Sequence, residues 1–301
     1  MEKIDLVIPY VDSLDPKWIE LYNKYNNLEE KNAEINGISR FRGQGDFFKY
    51  MFRCIEKNMP WINNVFLVVQ SESQVPQWLN KDKVTIVTHE QFIPSELLPL
   101  FNSTAIEMFI WNIPGLSEQF LYTNDDIIPV GPLTPQHFFE DGKCKTNGRF
   151  VYDIKSMYGH HIVNSYELVY ERKNNLVGCC IGFSHLIRPL LRSKCKECFE
   201  KYKDKILASI TKFRDTKNYN VYIYDNYMIR NTTTLPRLGI IARTIRGDLS
   251  YKEINSKLSN IGKSFNIINI CDASDDVNVY DNESLKRIFR EHYSFKSKYE
   301  I

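Results

Sequence analysis

Two adjacent carboxylates, Asp125 and Asp126, interrupt an apolar stretch, Phe120-Leu-Tyr-Thr-Asn-Asp-Asp-Ile-Ile-Pro-Val130. A short apolar run bounded by turn residues predicts a buried strand. Asn124, Asp125 and Asp126 would then stand at its carboxyl end, the edge of an open α/β sheet where ligands bind. Paired carboxylates there suit Mg²⁺ or Mn²⁺ shared with a diphosphate, because hard cations take oxygen ligands from protein and phosphate together. The competing reading is an acidic turn closed by Asx-type hydrogen bonds. Asp12 poses the same choice at the end of the first apolar run, where a nucleotide base or ribose would be held. Glu107 closes Thr104-Ala-Ile-Glu107, the spacing of a capping box. A neutral imidazole can take a hydroxyl proton near pH 7, so a histidine such as His185 has the chemistry of a general base. A lone histidine is more often structural. Cys195-Lys-Glu-Cys198 is half a zinc site, on the apolar stripe of a predicted helix, and reads as core. His160-His161 lacks an obvious third ligand.

Strands and helices alternate around these residues. Ile4–Tyr10, Val65–Val69, Val84–Val87 and Phe120–Tyr122 read as buried strands. Between them Lys17–Asn26, Phe47–Asn58 and Ser103–Trp111 carry apolar residues at helical spacing. Asn27–Gly45 is polar and glycine-bearing, hence a loop. The pattern predicts βαβ units and a mostly parallel sheet. After Val130 it weakens. Arg149–Tyr152 reads as a strand, and Pro189–Lys203 and Ser284–Tyr293 as helices. No internal repeat or low-complexity linker marks a domain boundary.

The chain has 301 residues, a formal net charge of +2, 43% hydrophobic and 25% charged residues. These are ordinary globular values, and the balance does not point to nucleic acid. No run approaches the roughly 18 apolar residues of a spanning helix. Acids stand where a secretion signal needs bases, so a cytosolic protein is expected. Seven cysteines at irregular spacing argue against a disulfide framework. Residues 188–217 hold ten Lys or Arg against four Asp or Glu. That excess reads as a solvated helix face, or as contact with the anionic inner face of a membrane.

Four stretches, in order, resemble the Stealth family of sugar-1-phosphate transferases. That family includes bacterial capsule and cell-wall polysaccharide enzymes and the lysosomal N-acetylglucosamine-1-phosphotransferase. The first stretch is Ile4–Trp18. The second runs from about Arg40 to Val130 and includes Cys54-Ile-Glu-Lys-Asn-Met-Pro-Trp-Ile-Asn-Asn-Val65 and Phe101-Asn-Ser-Thr-Ala-Ile-Glu107. The third is Ser184-His185-Leu-Ile-Arg188-Pro189 with Lys212-Phe-Arg214, and the fourth Ile268–Glu300. Two departures stand out. Gly43-Gln44-Gly45-Asp46 lacks the acidic-Asn pattern usual in that loop, and Cys271-Asp272 replaces Asn-Asp.

The resemblance implies an α/β fold similar to a GT-A nucleotide-diphospho-sugar transferase, with a helical insertion in the second half. It implies one catalytic domain over 1–301, the half 1–130 binding the nucleotide-sugar and 131–301 the acceptor and phosphate. Asp125 and Asp126, joined by Asp272, would hold a divalent metal, Mg or Mn. Asp12, Asn124 and Arg188 would bind the nucleotide-sugar. His185 would be the base, Arg214 the cation on the phosphate oxygens, and Glu107 a contact to the sugar. The implied reaction moves a hexose- or N-acetylhexosamine-1-phosphate from a UDP-sugar to a hydroxyl of a saccharide acceptor, free or lipid-linked, and releases UMP. A metal-dependent glycosyltransferase releasing UDP and a noncatalytic glycan-binding protein are the alternatives.

Overall fold

The structure is a computed structural model that describes residues 2–26, 41, 43–146, 148–151, 156–171, 180–183, 185–231, 233–236, 242–271 and 278–301. The strands of its first half are β1 (Ile4–Pro9), β2 (Val65–Val69), β3 (Thr85–Thr88), β4 (Gln119–Tyr122), β5 (Ile127–Pro129), β6 (Phe139–Glu140) and β7 (Lys143–Thr146). Those of the second are β8 (Gly148–Val151), β9 (Cys180–Phe183), β10 (Arg188–Leu191), β11 (Thr234–Pro236), β12 (Ala242–Arg246) and β13 (Ile267–Cys271).

The main sheet has the order β10-β4-β1-β2-β3. β1 to β4 run parallel, and β10 closes the edge antiparallel to β4. All five residues of β2, Val-Phe-Leu-Val-Val, are buried. Such a continuous apolar run is what a parallel strand covered on both faces requires. The expected α/β architecture, a mixed and mostly parallel sheet with flanking helices, is therefore present.

A second sheet, β12-β13-β5, takes over where β4 ends, with β13 antiparallel to β5. It packs on its own core, which includes Ile128, Ile245, Ile268, Ile270, Leu285 and Phe289. The helix Lys49–Asn58 joins the two cores. Phe52 and Ile55 face the main sheet, while Tyr50 and Cys54 face the second. Asn58 at its end donates to the carbonyl of Pro129 at 2.7 Å. Gly45, at φ +51°, turns the chain into this helix in a conformation that costs glycine little.

Two expectations need correction. The segment expected as one helix, Pro189–Lys203, begins as strand β10, and the helix starts only at Arg192. Pro189 has no N–H to give, which suits an edge strand paired on one side. The helix expected over Ser103–Trp111 is one turn, Ser103–Glu107, followed by a separate turn at Ile110–Asn112. The second sheet was not foreseen, because its strands are short and come from distant parts of the chain. Most of the expected loop Asn27–Gly45 lies outside the described residues. No helix among the described residues is long and apolar enough to cross a membrane.

Candidate active site

The acid pair sits where the chain leaves the main sheet. Tyr122 still pairs with Val7 in the β1–β4 ladder. Thr123 donates its N–H to the Val7 carbonyl at 3.1 Å. The chain then turns, with the N–H of Ile127 bonding the Asn124 carbonyl at 3.2 Å. Other elements clamp this turn from two sides. The Gln44 side-chain amide donates to the Asp125 carbonyl at 3.1 Å, and the N–H of Ile270 on β13 donates to the Asp126 carbonyl at 2.9 Å. Both carboxylates are half-buried. Burial first, then the neighbouring Asp126 charge, push the Asp125 carboxyl up to about 7, against the opposing pull of the Gln44 amide and His185. Asp12 lies at the same edge. Its carboxylate caps its own turn by accepting from the Leu14 N–H at 3.0 Å. After burial, the charges of Asp12 and Asp125 both act to raise the hydroxyl of Tyr10.

His185 reaches the turn from the segment that leads into β10. Its Nε2 lies 3.2 and 3.1 Å from the two Asp126 carboxylate oxygens. Burial pulls the imidazole down, but the hydrogen bond and charge of Asp126 outweigh it, and the net shift is upward. Arg188 follows on β10, directly across from Tyr122. It is 6% exposed, stacks 4.5 Å from the Tyr222 ring centre, and forms an ion pair with Asp225. Burial pulls Asp225 upward and Arg188 opposes it. We assign the pair as ionised, because a neutral carboxyl would leave the guanidinium a lone buried cation.

Glu107 and Arg214 are brought in by one residue, Asn102. Asn102 is fully buried, and its side-chain oxygen caps the helix Ser103–Glu107 by accepting from the Thr104 N–H at 3.1 Å. Its amide nitrogen donates to the Phe213 carbonyl at 3.1 Å and to Asn218 Oδ1 at 2.9 Å. The loop bearing Arg214 is thereby tied to the helix bearing Glu107. Arg214 donates to the Ser103 hydroxyl at 2.8 Å. His161, on the helix Met157–Tyr170, lies 2.8 Å from the Asp215 carbonyl and braces the same loop.

The capping-box reading of Glu107 fails, since Asn102 is the cap. Glu107 instead accepts from the Tyr122 hydroxyl at 3.0 Å and from the Val221 N–H at 2.8 Å. Burial raises its carboxyl, against these hydrogen bonds and the charges of Arg188 and Arg214. Asp125, Asp126, His185, Arg188, Glu107 and Arg214 thus occupy one electrostatic neighbourhood. Asp272 lies outside the described residues.

Arg188, expected as a nucleotide ligand, is paired with Asp225 and stacked on the Tyr222 ring. Asp225, Tyr122, Gln44 and Asn102 were missed. Asp225 alone had a visible signal, an acid inside the aromatic run Tyr222-Ile-Tyr-Asp-Asn-Tyr227, where a buried charge needs a partner. Cys195 and Cys198 are buried free thiols, as their apolar stripe implied.

The donor set fits a divalent ion in one respect. Two adjacent half-buried carboxylates repel each other, and a cation would relieve that repulsion. Among the described residues no three His, Cys, Asp or Glu side chains converge as a complete metal cage. Mg²⁺ commonly binds through one or two carboxylates and completes its shell with water and substrate phosphate.

Residues 40–147 match a family profile described as Stealth protein CR2, conserved region 2. The receptor polysaccharide phosphotransferase WefC of Streptococcus oralis is 32% identical, over 89% of this chain and 92% of its own. The capsular polysaccharide phosphotransferase WcwK of Streptococcus pneumoniae is 33% identical, over 76% of this chain and 79% of its own. Among solved structures, the galactosyltransferase LgtC aligns over 98% of both chains at 10% identity with a TM-score of 0.43. That likeness is too loose to carry an argument.

Proposed function

The chain belongs to the Stealth family, and from that membership we propose that it is a polysaccharide phosphotransferase acting on a UDP-sugar donor. It moves a hexose- or N-acetylhexosamine-1-phosphate to a hydroxyl of a saccharide acceptor, in the synthesis of a capsular or other cell-surface polysaccharide on the cytoplasmic side. Residues 1–130, with β1 to β4, bind the donor, and the second half supplies the groups that act on phosphorus and acceptor.

His185 takes the acceptor hydroxyl proton. The freed oxygen attacks the sugar-side phosphorus, the bond from that phosphorus to the bridging oxygen breaks, and UMP departs. Arg214, a planar guanidinium braced by Ser103, meets the charge spread over the phosphoryl oxygens. Glu107 fixes the Tyr122 end of β4 against the Val221 backbone and so holds the acid turn at a set distance from Arg214. Asp125 and Asp126 would hold Mg²⁺ or Mn²⁺, which when bound neutralises diphosphate charge.

The observation that supports the reading is the contact of His185, from the second half of the chain, with Asp126 in the acid turn built by the first, with Arg214 acting on the buried Glu107 that holds Tyr122. A cation and a base beside the diphosphate site are what attack at phosphorus needs. The test is to incubate the protein with UDP-sugars, Mn²⁺ and candidate acceptors and to separate the spent nucleotides. UMP is expected, together with a product whose phosphorus resonance is that of a diester. Stoichiometric UDP with a phosphate-free glycosidic product would replace the phosphotransferase by a glycosyltransferase. No nucleotide product across a broad panel would favour a binding protein.

A further inference from the structure

We propose that Gln44 is the positioning residue of the acid turn, its amide N–H holding Asp125 in the geometry in which Asp125 and Asp126 take the divalent ion. The inference rests on the metal reading of the preceding section.

Gln44 stands 81 residues before Asp125, on the loop that leads into the helix Lys49–Asn58. It is 5% exposed, and its nitrogen donates to the Asp125 carbonyl at 3.1 Å. Its other amide atom, Oε1, is buried with no hydrogen-bond partner among the described residues. An unpaired buried acceptor is unfavourable and calls for a reason. The reason lies at the nitrogen. Turning the amide over would set its oxygen against the Asp125 carbonyl, acceptor against acceptor. The amide is therefore oriented by what it does for Asp125, and a side chain serving packing alone would be apolar here.

The loop is built to hold that amide still. The Gly43 carbonyl accepts from Asn278 Nδ2 at 3.2 Å. A Cβ on Gly43 would lie 3.4 Å from both Leu14 and Ser13, so the backbone is close against the exit loop of β1. Gly43, the residue before Gln44, thus lies against the β1 loop on one side and is bonded to Asn278 on the other. Partners behind the ligands of a metal site orient those ligands, and losing one typically weakens metal binding about 10–100-fold.

The test is a Mn²⁺ titration in the presence of UDP, with free Mn²⁺ read by electron paramagnetic resonance. The proteins are wild type, Asp125→Asn, Gln44→Met and Gln119→Met. Gln119 is the control, a buried amide at the opposite end of β4 that donates to the Glu2 carboxylate. Wild type is expected to bind, Asp125→Asn to lose binding, and Gln44→Met to bind about 10–100-fold more weakly. Gln119→Met is expected to stay close to wild type. Should Gln44→Met not fold, Gln44→Asn takes its place, since it keeps an amide that falls one methylene short of Asp125. A folded Gln44 variant with wild-type Mn²⁺ affinity would overturn the proposal. So would an equal loss in Gln119→Met, which would reduce Gln44 to packing. No Mn²⁺ binding by wild type would overturn the metal reading itself, and the inference with it.

Discussion

At the scale of single residues, the contact with most consequence joins His185 to Asp126. The carboxylate that would take a metal also holds the proposed base. With the ion absent, Asp126 favours the charged imidazole and raises it above the ordinary histidine value. A cation on Asp126 competes for the same oxygens. The expected outcome is that the His185 ring titrates above 6.5 in metal-free protein and shifts downward when Mg²⁺ is added. NMR titration of the imidazole protons, with Asp126→Asn as the reference already lacking the pair, checks this. A midpoint unmoved by Mg²⁺ would separate the base from the metal site. In turnover, His185→Ala is expected to lose about 10²–10⁴-fold, the contribution of a positioned base.

At the scale of elements, the site depends on joints between short pieces. The helix Ser103–Glu107 is too short to be stable by itself. It is held by the Asn102 cap, and the same side chain holds the Phe213–Asn218 loop. Asn102→Ala removes the cap, worth about 1 kcal/mol, and also strands buried carbonyl and amide groups. A total loss of about 2–4 kcal/mol is expected, read from denaturant unfolding. In the fraction that stays folded, turnover should fall further than in Ser103→Ala, because both Glu107 and the Arg214 loop lose their shared anchor. Equal effects from the two substitutions would show that Arg214 is placed through Ser103 alone.

At the scale of the whole molecule, the C-terminal segment closes the fold. Arg53 on the helix Lys49–Asn58 grips the Glu300 carboxylate with two bonds of 2.8 and 2.7 Å and donates to the Tyr293 carbonyl at 2.7 Å. The N–H of Ile301 bonds the Trp78 carbonyl at 2.9 Å. Burial pulls the Glu300 carboxyl up, but Arg53 and the Ser297 hydrogen bonds outweigh it and hold it below its ordinary value. A depressed carboxylate stabilises the folded state above its unfolded pKa, and that stability is lost as the pH falls through the folded one. Glu300→Gln is therefore expected to cost about 2 kcal/mol at neutral pH. The gap to wild type should narrow below about pH 4.5, where the unfolded glutamate takes up its proton. Thermal melts of both proteins across that range check the sign. A gap that widens in acid would refute the assignment.

The local apolar pattern determined β1, β2 and β4 almost to the residue, because strands buried on both faces are made mostly of apolar residues. It also put Asp125 and Asp126 at the carboxyl end of β4, since the acids stand where the apolar run stops. Family resemblance, rather than any local pattern, singled out His185, Arg214 and Glu107. What only the tertiary structure decided is how those groups meet. Pro189 reads as a helix start until β4 offers it an antiparallel edge. Thr104 reads as a cap until Asn102 is seen to reach both the helix and a loop more than a hundred residues away. Arg188, expected at the nucleotide-sugar, also has Asp225 beside it, a partner 37 residues on. Each case turns on a long-range hydrogen bond or ion pair, whose partner is set by the packing of distant elements and leaves no periodic trace in the chain.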